Sequence, residues 1–177
     1  MVWVYSEDDL GDRLSGLSPN ARTTFAVACA TLLLHYYWAL EARLGIAHDG
    51  SETLARALQA CQGERGDGLD AVRPWIALVE PLIPDEDGEW VWESGLAQNS
   101  AIGVVHALNT RITGSVQDAV WAARQVFEAV DYLSQFDVPS GQPSKYVQIY
   151  DEQRPELYRL MVAQIDSILR VVETGTS

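Results

Sequence analysis

The sequence predicts an all-α fold, a single-domain compact helical bundle of about six to seven helices with one long central helix. Three observations carry this. Apolar residues recur at spacings of three and four, the period of a helix face, over most of the chain. Capping residues and glycine or proline stops bound those stretches. At 177 residues and 47% hydrophobic content, the chain can bury one sizeable core without disulfides or metal.

The elements follow in order. Val2-Trp3-Val4-Tyr5 reads with period two and could be extended. Glu7, Asp8, Asp9 and Asp12 then place negative charge where it would complement the dipole of a short N-terminal helix. Ser18-Pro19 is a helix start and Gly45 the matching stop, giving a helix of about 26 residues, the predicted central one. Its apolar positions (Phe25, Cys29, Leu32, Tyr36 and Leu40, with Val27, Leu34 and Trp38 off that stripe) surround the cylinder, as expected for a buried helix. Asp49-Gly50-Ser51-Glu52 reads as a capping box opening a helix that ends near Gly63. After a glycine-rich loop to Gly68, Leu69 to Leu82 forms one irregular helix interrupted by Pro74 and closed by Pro81 and Pro84.

An acidic loop from Asp85 to Glu89 precedes a long apolar-periodic segment, Trp90 to Ile112, that stops at Thr113-Gly114. Ser115 opens the clearest amphipathic helix, with Val116, Ala119, Val120, Ala123, Phe127, Val130 and Leu133 on its apolar side. Residues 137–145 form an internal linker loop. Tyr146 to Tyr150 again reads with period two. A last helix, from about Asp151 or Arg154 to Glu173, is too one-sided to form a second domain and must dock on the same core.

Composition narrows the function classes. Twelve Lys+Arg against 25 Asp+Glu give a net charge of −13, which argues against nucleic acid or an anionic membrane as partner. The two cysteines form no CxxC pair and read as reduced structural thiols. No signal peptide is visible, and the longest apolar run, Phe25 to Leu40, is short for a membrane span, so a cytoplasmic protein is expected.

Motifs that name an activity are absent. None of His35, His48 and His106 has a Glu three residues before it, and there is no HExxH, so no metal or other cofactor is expected. The glycines at 63, 66 and 68 follow a helix and are interleaved with Glu64 and Asp67, which would repel a phosphate. No GxSxG occurs, and no catalytic residue is assigned. Asn99 and His106, seven apart with Gly103 between them, could line a candidate pocket between helices with His35, or could simply satisfy neighbouring helix ends.

The most informative feature is a charge distribution. Between Arg73 and Arg111 there is no Lys or Arg, while Glu80, Asp85, Glu86, Asp87, Glu89 and Glu93 fall there, interleaved with Trp90 and Trp92. Like charge beside large aromatic rings is the composition of an acidic docking patch with hot-spot anchors, so Asp85, Glu86, Asp87, Glu89, Trp90, Trp92 and Glu93 are the candidate partner-binding residues. The alternative is a solvated loop whose tryptophans turn into the core.

The order of segments also resembles a family. Thr24-Phe25-Ala26 before an aromatic-rich helix, the Leu82-Ile83-Pro84-Asp85 turn, Ala97-x-Asn99-Ser100-Ala101, Thr110-Arg111-Ile112-Thr113-Gly114, Ala119, and Arg154-Pro155-Glu156-Leu157 carry the likeness, which runs from Leu17 to about Leu169. The chain resembles the bacterial all-helical domain-of-unknown-function family DUF416. The resemblance implies a helical bundle and carries over no catalytic residue; Asn99 stands where some relatives have an acidic residue. By analogy with bacterial families of this kind found beside toxin genes, it points to an immunity- or antitoxin-like protein that binds a basic protein toxin. An uncharacterised helical enzyme or small-ligand binder is the alternative, and a homo-oligomer formed through the C-terminal helix is a further expectation.

Overall fold

The computed structural model describes residues 5–62, 68–85, 91–136 and 155–175. Helix α1 (Glu7–Ser15) opens on Ser6, whose Oγ accepts the Asp9 N–H at 3.3 Å, and Glu7, Asp8 and Asp9 fill its first turn as expected. Next come α2 (Pro19–Thr31), α3 (Leu34–Leu44), α4 (Asp49–Cys61) and α5 (Leu69–Val79), the last continued by a 3₁₀ turn over Glu80–Leu82. Helices α6 (Trp92–Thr113), α7 (Val116–Phe136) and α8 (Pro155–Thr174) complete an all-α fold with no strand among the described residues. Residues 2–4, 63–67, 86–90 and 137–154, which include the linker and most of both period-two stretches, lie outside the described residues.

The predicted 26-residue central helix is corrected. Its start and stop are as expected: Ser18 Oγ accepts the Ala21 N–H at 3.2 Å, and Gly45 takes the left-handed conformation (φ +65°) while the Ile46 N–H returns to the Glu41 carbonyl. Between them the helix breaks at Leu32 and Leu33. The Leu32 N–H is shared between the Ala28 and Cys29 carbonyls, and the Leu33 N–H reaches only back to Ala30. Tightening to i→i+3 bonds interrupts the regular helical ladder without proline or glycine, so sequence punctuation gave no warning. This same stretch, 19–44, is long and apolar enough to cross a membrane by length and composition, yet half of its most apolar 18 residues are buried within the fold.

The central helix is α6 instead. It packs against α2, α3, α4, α5 and α7, and many of its inward positions are small: Gly95, Ala97, Ser100, Ala101, Gly103 and Ala107 are all buried, interleaved with larger residues such as Leu96, Val104 and Leu108. Small side chains let five helices approach one. The approach is closest at Gly95, where a Cβ would lie 2.5 Å from Tyr132 Cζ; at Gly103 the nearest atoms would be at an ordinary 3.7 Å. One cluster of buried apolar side chains runs from Leu10 and Leu14 in α1 through Phe25, Leu54, Val79 and Leu108 to Met161, Ile165 and Leu169 in α8. Each such fully buried side chain is worth about 1.5–3 kcal/mol relative to exposure.

Candidate functional site

One corner of the molecule, formed by the C-terminal end of α3, the start of α4 and the start of α6, carries part of the exposed aromatic and acidic surface. Arg43 Nε lies 3.8 Å from Glu93 Oε1, joining the end of α3 to the first turn of α6. Trp38 stacks on His48 with ring centroids 5.2 Å apart. Around these contacts Trp38 (54%), Ile46 (56%), Trp92 (46%) and Leu44 remain exposed, four of the eight exposed large apolar side chains among the described residues. Asp49, Glu52, Glu80 and Asp85 are exposed too.

The candidate docking residues therefore divide. Trp92 is on the surface and Asp85 is exposed, whereas Glu86, Asp87, Glu89 and Trp90 lie outside the described residues. Glu93 is corrected as a surface group: it is 8% exposed and turns inward at the first turn of α6. There it complements the positive end of the helix dipole and faces Arg43. The Val91 N–H, which precedes the helix, is taken by Ser94 Oγ at 3.1 Å.

Beneath the corner, Glu41 is 2% exposed and its carboxylate closes the start of α4. Oε1 accepts the Gly50 N–H at 2.8 Å and the Ser51 N–H at 3.1 Å; Oε2 accepts the Ser51 hydroxyl at 2.6 Å and lies 3.2 Å from His48 Nδ1. The capping box expected from Asp49 and Glu52 is thus replaced by a cap from another helix. Acid, histidine and serine meet here, but Ser51 bonds the carboxylate directly, not the imidazole, which is a helix cap and not the relay of a hydrolase. Tyr37 donates to the Leu82 carbonyl at 2.7 Å, and burial, with Glu41 next in effect, pushes its phenol up to about 12.

The pocket expected from His35, Asn99 and His106 is not assembled. His35 is exposed and packs on its neighbour Tyr36. His106 Nδ1 lies 3.2 Å from Asp118 Oδ1 on α7, with Trp121 against its ring, and Asn99 is buried on α6. The local pattern could not show this, because His106 points to α7 while His35 sits on an outward face of α3. No group of three or more His, Cys, Asp or Glu poised for a metal occurs among the described residues.

A cavity of about 580 Å³ lies elsewhere, between α2, the end of α4, the end of α6 and α8. Asn20 and Thr24 stand at its mouth, Val27, Leu32 and Ile168 along its walls, and Arg111, only 3% exposed, at its side. Arg111 Nη1 donates to Asn20 Oδ1 at 3.3 Å. Cys61 also borders it, its thiol pushed up to about 12 by burial, with Arg111 pulling weakly the other way. Sequence reasoning missed this site because its residues come from four helices with no shared motif.

Comparison with family models, with curated proteins and with solved structures found no match to this chain.

Proposed function

We propose that this chain is an acidic protein-binding module, an immunity- or antitoxin-like inhibitor that docks its α3–α6 corner on a basic protein toxin and neutralises it by occlusion. A nuclease is the partner class whose own chemistry demands a positive surface. The observation that carries this reading is the exposure of Trp92 next to Glu93, which pairs with Arg43 at the end of α3 where Leu44 and Ile46 are exposed too, within a segment that runs from Pro74 to Thr110 without a Lys or Arg. Apolar anchors would supply affinity, while the surrounding carboxylates would steer association and reject acidic surfaces. The same charge disfavours nucleic acid and anionic membranes as partners. We place the interaction in the cytoplasm, in keeping with two free, buried thiols.

The test is co-purification with the product of the neighbouring gene, followed by variants. Trp92→Ala is expected to weaken the complex by at least about 2 kcal/mol, roughly thirtyfold, chiefly through faster dissociation. Reversing Glu86, Asp87 and Glu89 to Lys is expected to slow association and flatten its salt dependence. Unchanged affinity and unchanged protection in both variants would discard this reading.

A further inference from the structure

Trp38 is exposed and yet held in place. Its 54% exposure signifies little by itself, because single large apolar groups are common on protein surfaces. Its indole, however, stacks on the His48 ring, with centroids 5.2 Å apart and planes 18° from parallel. His48 Nδ1 in turn lies 3.2 Å from Oε2 of Glu41, the buried carboxylate already engaged by Gly50 and Ser51. One imidazole thus ties an exposed ring to a buried anchor. Trp121 touches His106 in a comparable way, but that contact is tilted by 53° and the indole is only 36% exposed.

The His48 ring is not what starts α4. His48 occupies the N-cap position, but the Gly50 and Ser51 N–H groups donate to Glu41, so the capping task is done from α3. The imidazole is left to set the plane of the indole. Such pre-setting matters for binding, because an anchor whose rotamer is fixed before contact loses less conformational freedom on docking. Charge adds a preference for one occupant. Asp49 and Glu52, both exposed, follow His48 in the first turn of α4. An indole face next to a turn with two carboxylates suits a guanidinium, which stacks on the ring and donates from its edge to the acids.

We infer that Trp38 is a preorganised binding anchor, with His48 as its positioning residue, and that it receives an arginine from the basic surface of the partner. The inference rests on the docking function proposed above and adds a second anchor to Trp92. The two are separate: Trp38 lies about 140° around α3 from Arg43, whose contact with Glu93 leads to Trp92. Arginine fits better than lysine because a compact ammonium leaves the planar stacking surface of the indole unused.

The experiment measures, by calorimetry, the affinity of the intact chain and its variants for the product of the neighbouring gene. Trp38→Ala is expected to weaken the complex at least about thirtyfold. His48→Ala is expected to weaken it about threefold to tenfold with the urea midpoint unchanged, since the Glu41 cap stays in place. In the Trp38→Ala background the same His48 change should cost less than about twofold, because a positioning residue acts only through what it positions. One arginine-to-lysine change on the gene product should weaken the wild-type complex and be silent against Trp38→Ala. Fluorine NMR of the chain alone, labelled with 5-fluorotryptophan and with the Trp38 signal assigned through Trp38→Phe, should show that signal moving in His48→Ala. A Trp38→Ala chain that binds within about twofold of wild type, while Trp92→Ala still weakens the complex, would overturn this inference and leave the docking function standing. Failure of the wild-type chain to form the complex would overturn both. Additive losses for His48 and Trp38, or an unmoved fluorine signal, would overturn the positioning role of His48.

Discussion

Glu41 makes α4 start where it does. Two backbone N–H groups of the first turn and the Ser51 hydroxyl all donate to one buried carboxylate. Glu41→Ala removes the acceptor and leaves those donors in a space too closed for ready hydration, so a loss of about 2–4 kcal/mol in urea unfolding is expected. Gly50→Ala attacks the same contact from the other side. The new methyl would meet Tyr37 Cε1 at 2.5 Å and Glu41 Oε1 at 2.8 Å, and a loss of about 1–3 kcal/mol is expected. This is also where local reading of the sequence misjudged the chemistry. Asp49 and Glu52 have the spacing of a cap, but a carboxylate nine residues away, brought in by the turn at Gly45, reaches the N–H groups first.

Helix boundaries were legible wherever their cause was local. Ser6, Ser18, Gly45 and Gly114 all act within four residues of themselves, and each starts or stops a helix as its type predicts. The break at Leu32 and Leu33 was not legible, because neither residue disfavours helix; packing of α2 and α3 on α6 decides it. Docking of α8 on α1 depends equally on distant residues. Arg13 binds Asp166 at 2.9 Å and Glu173 at 2.9 Å, and Arg170 also holds Asp166 at 2.8 Å. Burial works to raise Asp166, but hydrogen bonds from Arg13 and Arg170 outweigh it and hold the carboxyl below its ordinary range. Its stabilising contribution is therefore complete above the unfolded value of about 3.9 and is lost as pH falls through the lower folded value. Thermal melts of the wild type between pH 5 and pH 2, in steps of about half a unit, should show this loss, and Arg13→Met should show a smaller acid-limb change from a lower starting stability. An identical acid limb in both proteins would contradict the coupling.

At the scale of the whole molecule, both thiols report on the integrity of the core. Cys29 and Cys61 are buried, and burial pushes each thiol well above its ordinary value, Cys61 to about 12. Ellman's reagent at pH 8 is expected to react on the order of a thousandfold more slowly with the native chain than with the urea-unfolded chain. Fast native reaction of one thiol would mean that its end of the bundle opens locally. The composition argument for an acidic helical protein was legible from residue counts alone. The cavity was not, since Arg111 reads in sequence as an ordinary helix-end base and becomes a cavity-lining cation only when α2 is laid against it.

The narrow waist of α6 has a consequence for how the protein tolerates change. Helices that meet on bulky side chains fail when those side chains are trimmed. Here about half of the buried positions are already alanine, serine or glycine, with little left to remove. A saturation substitution library scored for solubility should therefore be lopsided along 95–107: alanine would fail only at Gly95, where there is no room for it, and at the buried larger residues Leu96, Asn99 and Val104, while leucine or phenylalanine would fail at most of the small positions. In a conventional alanine scan the small positions of this buried helix would look dispensable, and only the larger ones would reveal that it is central.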